Sequence, residues 1–348
     1  MAEIIIHAGM PKTGSTSVQH WLVANAERLR TDLGVHTLVA TNRTRRNPTP
    51  KVELEPFESG TINSGKIVYA WMLRTFAPEV PLRFFAELGD RAAEFGKVLV
   101  TAEGMSEFIW RLDEEVLHGL DDLAREHAVK IAYYVRPQAA ALEAMWREAG
   151  FTRPSSPSDW VMERLPRLHY LRTLAGVEAH APHVELVMRP FRADLLDRGS
   201  IVDDFVRRFL GIDEECPPIH ANPALPLRLV NVLRFAPDGL FRKGTADVYP
   251  RSALRRAAAS LNLPVTPEIR RSRLILRRYC HDVFEDENQQ LIRKLSWPTD
   301  SFVPPVTLSD PWDISELDAL WTPRESAAEL AALYDDLLDA LRALDAGL

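Results

Sequence analysis

Lys12 stands in a glycine-bounded turn, Gly9-Met10-Pro11-Lys12-Thr13-Gly14, between the apolar run Ile4-Ile5-Ile6-His7-Ala8 and the hydroxyl-rich segment Ser15-Thr16-Ser17. A strand that enters such a turn and leaves it as a helix presents consecutive backbone N–H groups, and the positive end of the helix dipole, to an anion. Lys12 adds a compact positive charge, and the three hydroxyls add hydrogen-bonding groups. That combination suits the holding of a phosphate or a related anion. The spacing narrows it further. A loop of the ATP type, G-x-x-x-x-G-K-[ST], sets its lysine directly after the second glycine. Here Gly9 and Gly14 keep that separation, but Ser15 follows Gly14 and the lysine comes earlier. A second anion-binding candidate is Arg136, which ends the run Lys130-Ile131-Ala132-Tyr133-Tyr134-Val135 and whose planar fork can grip a phosphate bidentately. Proton transfer needs a base. Glu103, at the end of Lys97-Val98-Leu99-Val100-Thr101-Ala102, is the first candidate, and His7, beside the turn, is the second.

The elements that must position these residues are legible as alternating periods. Strand-length apolar runs recur at Ile4–Ala8, Val35–Ala40, Val98–Thr101, Ile131–Val135 and Val184–Met188. Helical periods fall between them, at about Thr16–Leu29, Pro81–Glu94, Glu114–Glu126, Gln138–Ala149 and Trp160–Leu174. Short apolar strands alternating with helices predict an α/β fold, a parallel sheet covered by helices on both faces. Ligands of such sheets bind at the carboxyl ends of the strands, where the turn at Gly9–Thr16, Glu103 and Arg136 would all emerge. Asn42–Lys66 is polar and rich in Asn, Pro and Gly, and reads as a long loop or insertion within a catalytic domain of residues 1–311. In residues 312–348, Thr322-Pro323-Arg324-Glu325 has the form of a capping box. The helix it opens carries Leu330, Leu333, Leu337, Leu341 and Leu344 on one face, which predicts a helical extension docked on its parent domain or, less simply, a dimer contact.

The turn Pro11-Lys12-Thr13-Gly14-Ser15-Thr16-Ser17 resembles the 5′-phosphosulfate loop of sulfotransferases that use 3′-phosphoadenosine 5′-phosphosulfate (PAPS). Tyr134-Val135-Arg136-Pro137-Gln138 resembles the Tyr-x-Arg-x-Gln wording of the 3′-phosphate motif in bacterial members. Val184–Phe191 is similar to the family's next core strand with its Arg-Pro-[Phe/Tyr] exit, and Gly199–Phe205 with Leu210-Gly211-Ile212 to the helix that follows. Asn222-Pro223-Ala224-Leu225 and Asp286-Glu287-Asn288 are weaker likenesses, and together the matches span Ile4 to Phe302. The resemblance implies a P-loop, sulfotransferase-like fold and transfer of a sulfuryl group from PAPS to a hydroxyl, with adenosine 3′,5′-bisphosphate as product and no metal. It implies that backbone N–H groups around Thr13–Thr16 and the hydroxyls of Ser15, Thr16 and Ser17 hold the phosphosulfate. Lys12 would neutralise charge growing on the bridging oxygen, and Arg136 would hold the 3′-phosphate. Glu103 would take the acceptor's proton, with Thr101 and Ser106 as acceptor or cofactor contacts. The chain departs from the family at Ala144, where a serine eight residues past the arginine is usual.

Bulk properties set the outer bounds. The chain has 348 residues, 46% of them apolar, enough for a sizeable core. A net charge of −7 argues against general nucleic-acid binding, which wants a basic face. Cys216 and Cys280 are the only cysteines and lack metal-ligand spacing, so neither a disulfide framework nor a zinc site is expected. No signal-peptide pattern or run of about 20 apolar residues is present, which predicts a cytoplasmic chain without a membrane span. The expected partner is a small-molecule or glycan acceptor, with the protein a monomer or homodimer. The rival readings are a P-loop kinase using ATP and magnesium, and a non-catalytic protein that keeps the nucleotide loop. Arg43-Thr44-Arg45-Arg46 and the arginines between Arg255 and Arg278 read as solvated faces, or as a guide for anions.

Overall fold

The computed structural model describes residues 1–10, 12–41, 53–56, 79–101, 105–149, 155–217, 225–234, 256–258, 261, 263–302, 311–322 and 327–346. They fall into two units. The first comprises Met1–Pro137, Pro166–Ile219 and Asp286–Ser301; the second comprises Gln138–Leu165, His220–Glu285 and Phe302–Leu348.

The first unit is built on a six-stranded sheet. Its strands are β1 (Glu3–His7), β2 (His36–Thr41), β3 (Glu53–Pro56), β4 (Lys97–Thr101), β5 (Ala128–Val135) and β6 (Glu185–Pro190), in the spatial order β3-β2-β4-β1-β5-β6. Five strands run parallel, and β3 pairs antiparallel with β2. All five apolar runs of strand length are strands. β3 lies in the polar Asn42–Lys66 stretch, where the sequence predicts a long loop or insertion without naming a strand; four residues, Glu-Leu-Glu-Pro, with one buried leucine give almost no periodic signal. An edge position suits so short a strand ending in proline, which has no N–H to give a further neighbour.

Side chains of the central strands alternate between the two faces. Ile5, Leu99, Ala132 and Tyr134 pack with Val18, Trp21 and Leu22 of helix α1 (Ser15–Ala24) and with Ile201, Val202 and Phe205 of a short helix after β6. Helices Glu79–Phe95 and Glu114–Glu126 pack against one another, the first against β1 and β4 and the second against β5. The predicted helix Thr16–Leu29 is interrupted at Asn25, whose side chain bonds back to the Trp21 carbonyl, and resumes as α2 (Ala26–Leu33). Trp160–Leu174 likewise divides, into Pro157–Met162, a 3-10 turn at Leu165–Leu168 and Tyr170–His180.

The second unit is helical. Trp146 packs edge-on to Trp160 and tilted against Trp321, and its indole N–H reaches Asn231 Oδ1 at 3.2 Å. Two arginines here hold carboxylates of the same unit: Arg273 grips Glu143, and Arg271 grips Glu316. Arg278 pairs with Asp282. Leu337 and Leu341 of helix Ala327–Ala346 are fully buried; of the capping box proposed to open it, Thr322 donates its hydroxyl back to the Asp318 carbonyl, and Pro323-Arg324-Glu325 lie outside the described residues. Among the described residues, no helix is long and apolar enough to cross a membrane.

Candidate functional site

The turn after β1 is closed by its own side chains. Thr13 is fully buried; its hydroxyl donates to the Met10 carbonyl at 2.7 Å, and its backbone N–H reaches the same oxygen at 3.3 Å. This folds the chain back so that α1 begins at once. Gly14 occupies the cap position of α1 with φ 75°, and Ser17 N donates to the Gly14 carbonyl at 2.9 Å. Glycine brings no side chain to accept from the first-turn N–H groups, and α1 has no side-chain cap. Such an end is what anions bind.

Two features show how closely the turn is held. A Cβ at Gly14 would lie 2.9 Å from Ile201 Cγ2 and 3.2 Å from Phe191 Cε2, in a left-handed conformation that side chains rarely adopt. Lys12 itself has φ 71°, which costs a non-glycine residue about 1–2 kcal/mol. Strain of this kind is retained where the surroundings over-determine it, and it gathers at ligand sites. Lys12, Thr16 and Ser17 are partly exposed, while Ser15 is buried. The hydroxyl of Thr13, which closes the turn, and that of buried Ser15 are thereby separated from those of Thr16 and Ser17.

His7 is fully buried under the turn. Its Nδ1 lies 3.1 Å from Thr101 Oγ1, its ring meets Phe205 edge-on at 5.2 Å, and its Nε2 lies 3.0 Å from where a Cβ at Gly9 would be. Gln19 Nε2 also donates to Thr101 Oγ1, at 2.8 Å. His7 and Thr101 are register partners on β1 and β4. His7, Thr101 and Gln19 therefore tie β1, β4 and α1 together. That arrangement suits support of the turn more than proton transfer or acceptor contact by His7 or Thr101. Ser106 is buried in helix Met105–Arg111. Glu103 and Pro11 lie outside the described residues.

Arg136 leaves β5 beside the turn. The Phe191 ring makes the connection: its Cε2 lies 3.2 Å from where a Cβ at Gly14 would be, and the Arg136 guanidinium lies over the ring, 4.8 Å from its centroid. The Arg136 carbonyl accepts the Tyr170 hydroxyl at 2.7 Å. A guanidinium held over an aromatic ring has the planar fork that suits a bidentate oxyanion. The connection from β1 leads toward β2 on one side of the sheet, and that from β5 leads toward β6 on the other. The crevice at which connections diverge in this way is the usual ligand position in an open α/β sheet, and here Lys12 and Arg136 flank it. Ala144 belongs to the second unit.

Beneath the site is a buried charge cluster that the sequence did not reveal. Asp204 has no exposed surface and accepts from Tyr134 Oη at 2.8 Å, Arg189 Nη2 at 2.9 Å, Arg208 Nε at 3.1 Å and Asp197 N at 3.2 Å. Burial pushes its carboxyl upward, but the hydrogen bond and charge of Arg189, with further bonds from Tyr134 and Arg208, hold it below the usual carboxylate range. Burial, and then the charge of Asp204, push the Tyr134 phenol well above its ordinary value. Arg189 and Asp204 appear within the Arg-Pro-Phe and Asp-Asp-Phe strings, but nothing in the strings indicates that they meet.

Comparisons of the chain with protein-family models, with curated proteins and with solved structures each return no match. Among the described residues, no cluster of His, Cys, Asp and Glu could hold a metal ion.

Proposed function

We propose that the protein is a sulfotransferase that uses PAPS as donor and an alcohol or phenol as acceptor. One observation carries this reading: the glycine-capped start of α1, with Lys12 ahead of it in a left-handed turn, shares the Phe191 ring with Arg136. PAPS carries two anionic regions, a 5′-phosphosulfate and a 3′-phosphate, and the residues present offer two anion-binding groups on one crevice. The backbone of Gly14–Ser17 would hold the first and Arg136 the second. When bound, PAPS supplies a sulfuryl group on a good leaving group. Lys12 would stabilise the charge that develops on the phosphate oxygen as the S–O bond breaks. Glu103 would receive the acceptor's proton as the new O–S bond forms. A lysine placed before the second glycine also separates this turn from ATP-type loops.

The test is differential stabilisation. Adenosine 3′,5′-bisphosphate at a hundredfold over its dissociation constant should add about 2.7 kcal/mol to stability, measured as a thermal shift, and should exceed ATP with magnesium. Preferential stabilisation by ATP–magnesium would overturn the assignment in favour of a kinase. Stabilisation by the bisphosphate without transfer of label from PAPS to any hydroxyl acceptor would leave a nucleotide-binding protein. Arg136→Ala should lose about 1.5–3 kcal/mol of affinity for adenosine 3′,5′-bisphosphate, as expected for a charged hydrogen bond. It should lose little for adenosine 5′-monophosphate, which lacks the 3′-group. Equal losses for both nucleotides, by calorimetry, would place the 3′-phosphate elsewhere.

A further inference from the structure

The turn after β1 rests on a short hydrogen-bond chain, and what each atom can give sets its direction. Thr101, the last residue of β4, has one hydroxyl, and two side chains meet it: Gln19 Nε2 at 2.8 Å and His7 Nδ1 at 3.1 Å. The amide nitrogen of Gln19 can only donate. It takes an acceptor site of Thr101 Oγ1 and leaves the hydroxyl proton to be given elsewhere. Among the described residues, His7 Nδ1 is the acceptor within reach of that proton. A hydroxyl that donates to Nδ1 makes it the bare nitrogen of the ring, and the single proton of the neutral imidazole then sits on Nε2. Turning the Gln19 amide over is the costlier alternative. Gln19 is buried, and its Oε1 has no hydrogen-bond partner. The reversed amide would put two N–H donors in that place, and orphaned buried N–H groups are rarer in folded proteins than under-used carbonyls.

The nitrogen so protonated is the one nearest the turn. A Cβ at Gly9 would lie 3.0 Å from His7 Nε2 and 3.4 Å from Cε1, so the backbone of Gly9 passes in contact with that edge of the ring. The same Cβ would lie 3.3 Å from Thr13 Oγ1, the hydroxyl that folds the turn onto the Met10 carbonyl. The ring is also enclosed from the side: Phe205 meets it at 5.2 Å and Tyr134 at 6.4 Å, each edge-on. With Nδ1 on Thr101 and Nε2 protonated, neither ring nitrogen has a lone pair to offer an acceptor's proton.

We infer that Gln19 and Thr101 are positioning residues that hold His7 as its Nε2–H tautomer, a donor beneath the anion-binding turn. The Gln19 amide, which bonds Thr101, decides which ring nitrogen carries the proton. An ionised carboxylate in its place could only accept. Thr101 would then turn its proton to that carboxylate, and Nδ1 would have to supply the proton that Thr101 Oγ1 accepts. The bearing on function rests on the sulfotransferase reading, in which this turn holds the phosphosulfate. His7 braces the turn as a donor, and the acceptor's proton passes to Glu103.

Nitrogen NMR of the full chain, labelled at histidine, reads the tautomer directly, because a protonated ring nitrogen and a bare one differ in shift and in coupling to hydrogen. The His7 signals are those absent from His7→Gln or, should that variant not fold, those in Overhauser contact with the Phe205 ring. At mildly alkaline pH the wild type should carry the proton on Nε2 with Nδ1 bare. Thr101→Ser should keep that pattern, and Gln19→Glu should place a proton on Nδ1. Calorimetry with adenosine 3′,5′-bisphosphate gives the functional readout. His7→Gln, whose amide nitrogen can take the place of Nε2, should bind within about threefold of wild type; His7→Asn, whose amide reaches only the place of Nδ1, should lose about tenfold or more. A proton on Nδ1 in the wild type overturns the inference, as does a bare Nδ1 that survives Gln19→Glu, or His7→Asn binding as tightly as His7→Gln. Should the His7 variants not fold, the wild-type and Gln19→Glu spectra decide. Failure of the sulfotransferase reading is distinguishable: the spectra would be as stated, but the bisphosphate would not bind the wild-type chain, or label would pass to no acceptor.

Discussion

Lys12→Ala should leave the chain folded and reduce sulfuryl transfer by about 10²–10³-fold, or ~3–4 kcal/mol of transition-state stabilisation, the usual cost of removing one preorganised charge-stabilising group. The fold should survive because the lysine side chain is partly exposed and the turn is closed by Thr13, Gly14 and the buried His7 instead. Relief of the left-handed strain does not follow from the change, since alanine at φ 71° is strained as lysine is. The loss should therefore appear in kcat, with the thermal midpoint nearly unchanged. Lys12→Arg should restore little, because a planar fork on a longer stem does not place its charge where the ammonium stood. A folded Lys12→Ala variant that keeps more than about a third of wild-type turnover would remove Lys12 from the chemistry, since the loss expected of such a group is at least a hundredfold.

The parallel sheet was legible because its central strands are nearly pure apolar runs, and burial on both faces leaves little other choice for Ile4-Ile5-Ile6 or Val98-Leu99-Val100. The turn was legible for a different reason. Two glycines and a lysine between such a strand and three hydroxyl residues satisfy several local requirements at once. What stayed hidden depends on contacts distant in sequence. Phe191 read as the end of a strand, yet it is the surface that Gly14 and Arg136 share. By its position beside the turn His7 is the second base candidate, in a place where a packed, hydrogen-bonded histidine is the commoner case. Its burial against Phe205 and its hydrogen-bond contact with Thr101 need β4 and the helix after β6 in place before they can be seen.

Asp204→Asn should be the most damaging conservative change in the sheet unit. The carboxylate gathers Tyr134, Arg189, Arg208 and the Asp197 amide at one fully buried point. Removing its charge leaves guanidinium groups facing an amide that can itself donate, and breaking a buried ion pair from one side costs about 3–5 kcal/mol. The damage should reach the site, because Asp204 shares a short helix with Ile201, which abuts Gly14, and with Phe205, which packs on His7. Affinity for adenosine 3′,5′-bisphosphate should therefore fall with stability, unlike in Lys12→Ala. The pH dependence separates lost charge from lost shape. Asp204 is held below its unfolded value of about 3.9, so the folded state binds its proton less readily than the unfolded state does. Its contribution is complete above that value and is lost as pH falls through the lower folded pKa. The gap in unfolding free energy between wild type and Asp204→Asn should stay constant from neutral pH down to about 4, then narrow on further acidification, as urea titrations at each pH would record. A gap as wide at pH 3 or below as at pH 7 would show that packing of the asparagine, rather than the ionised carboxylate, accounts for the loss.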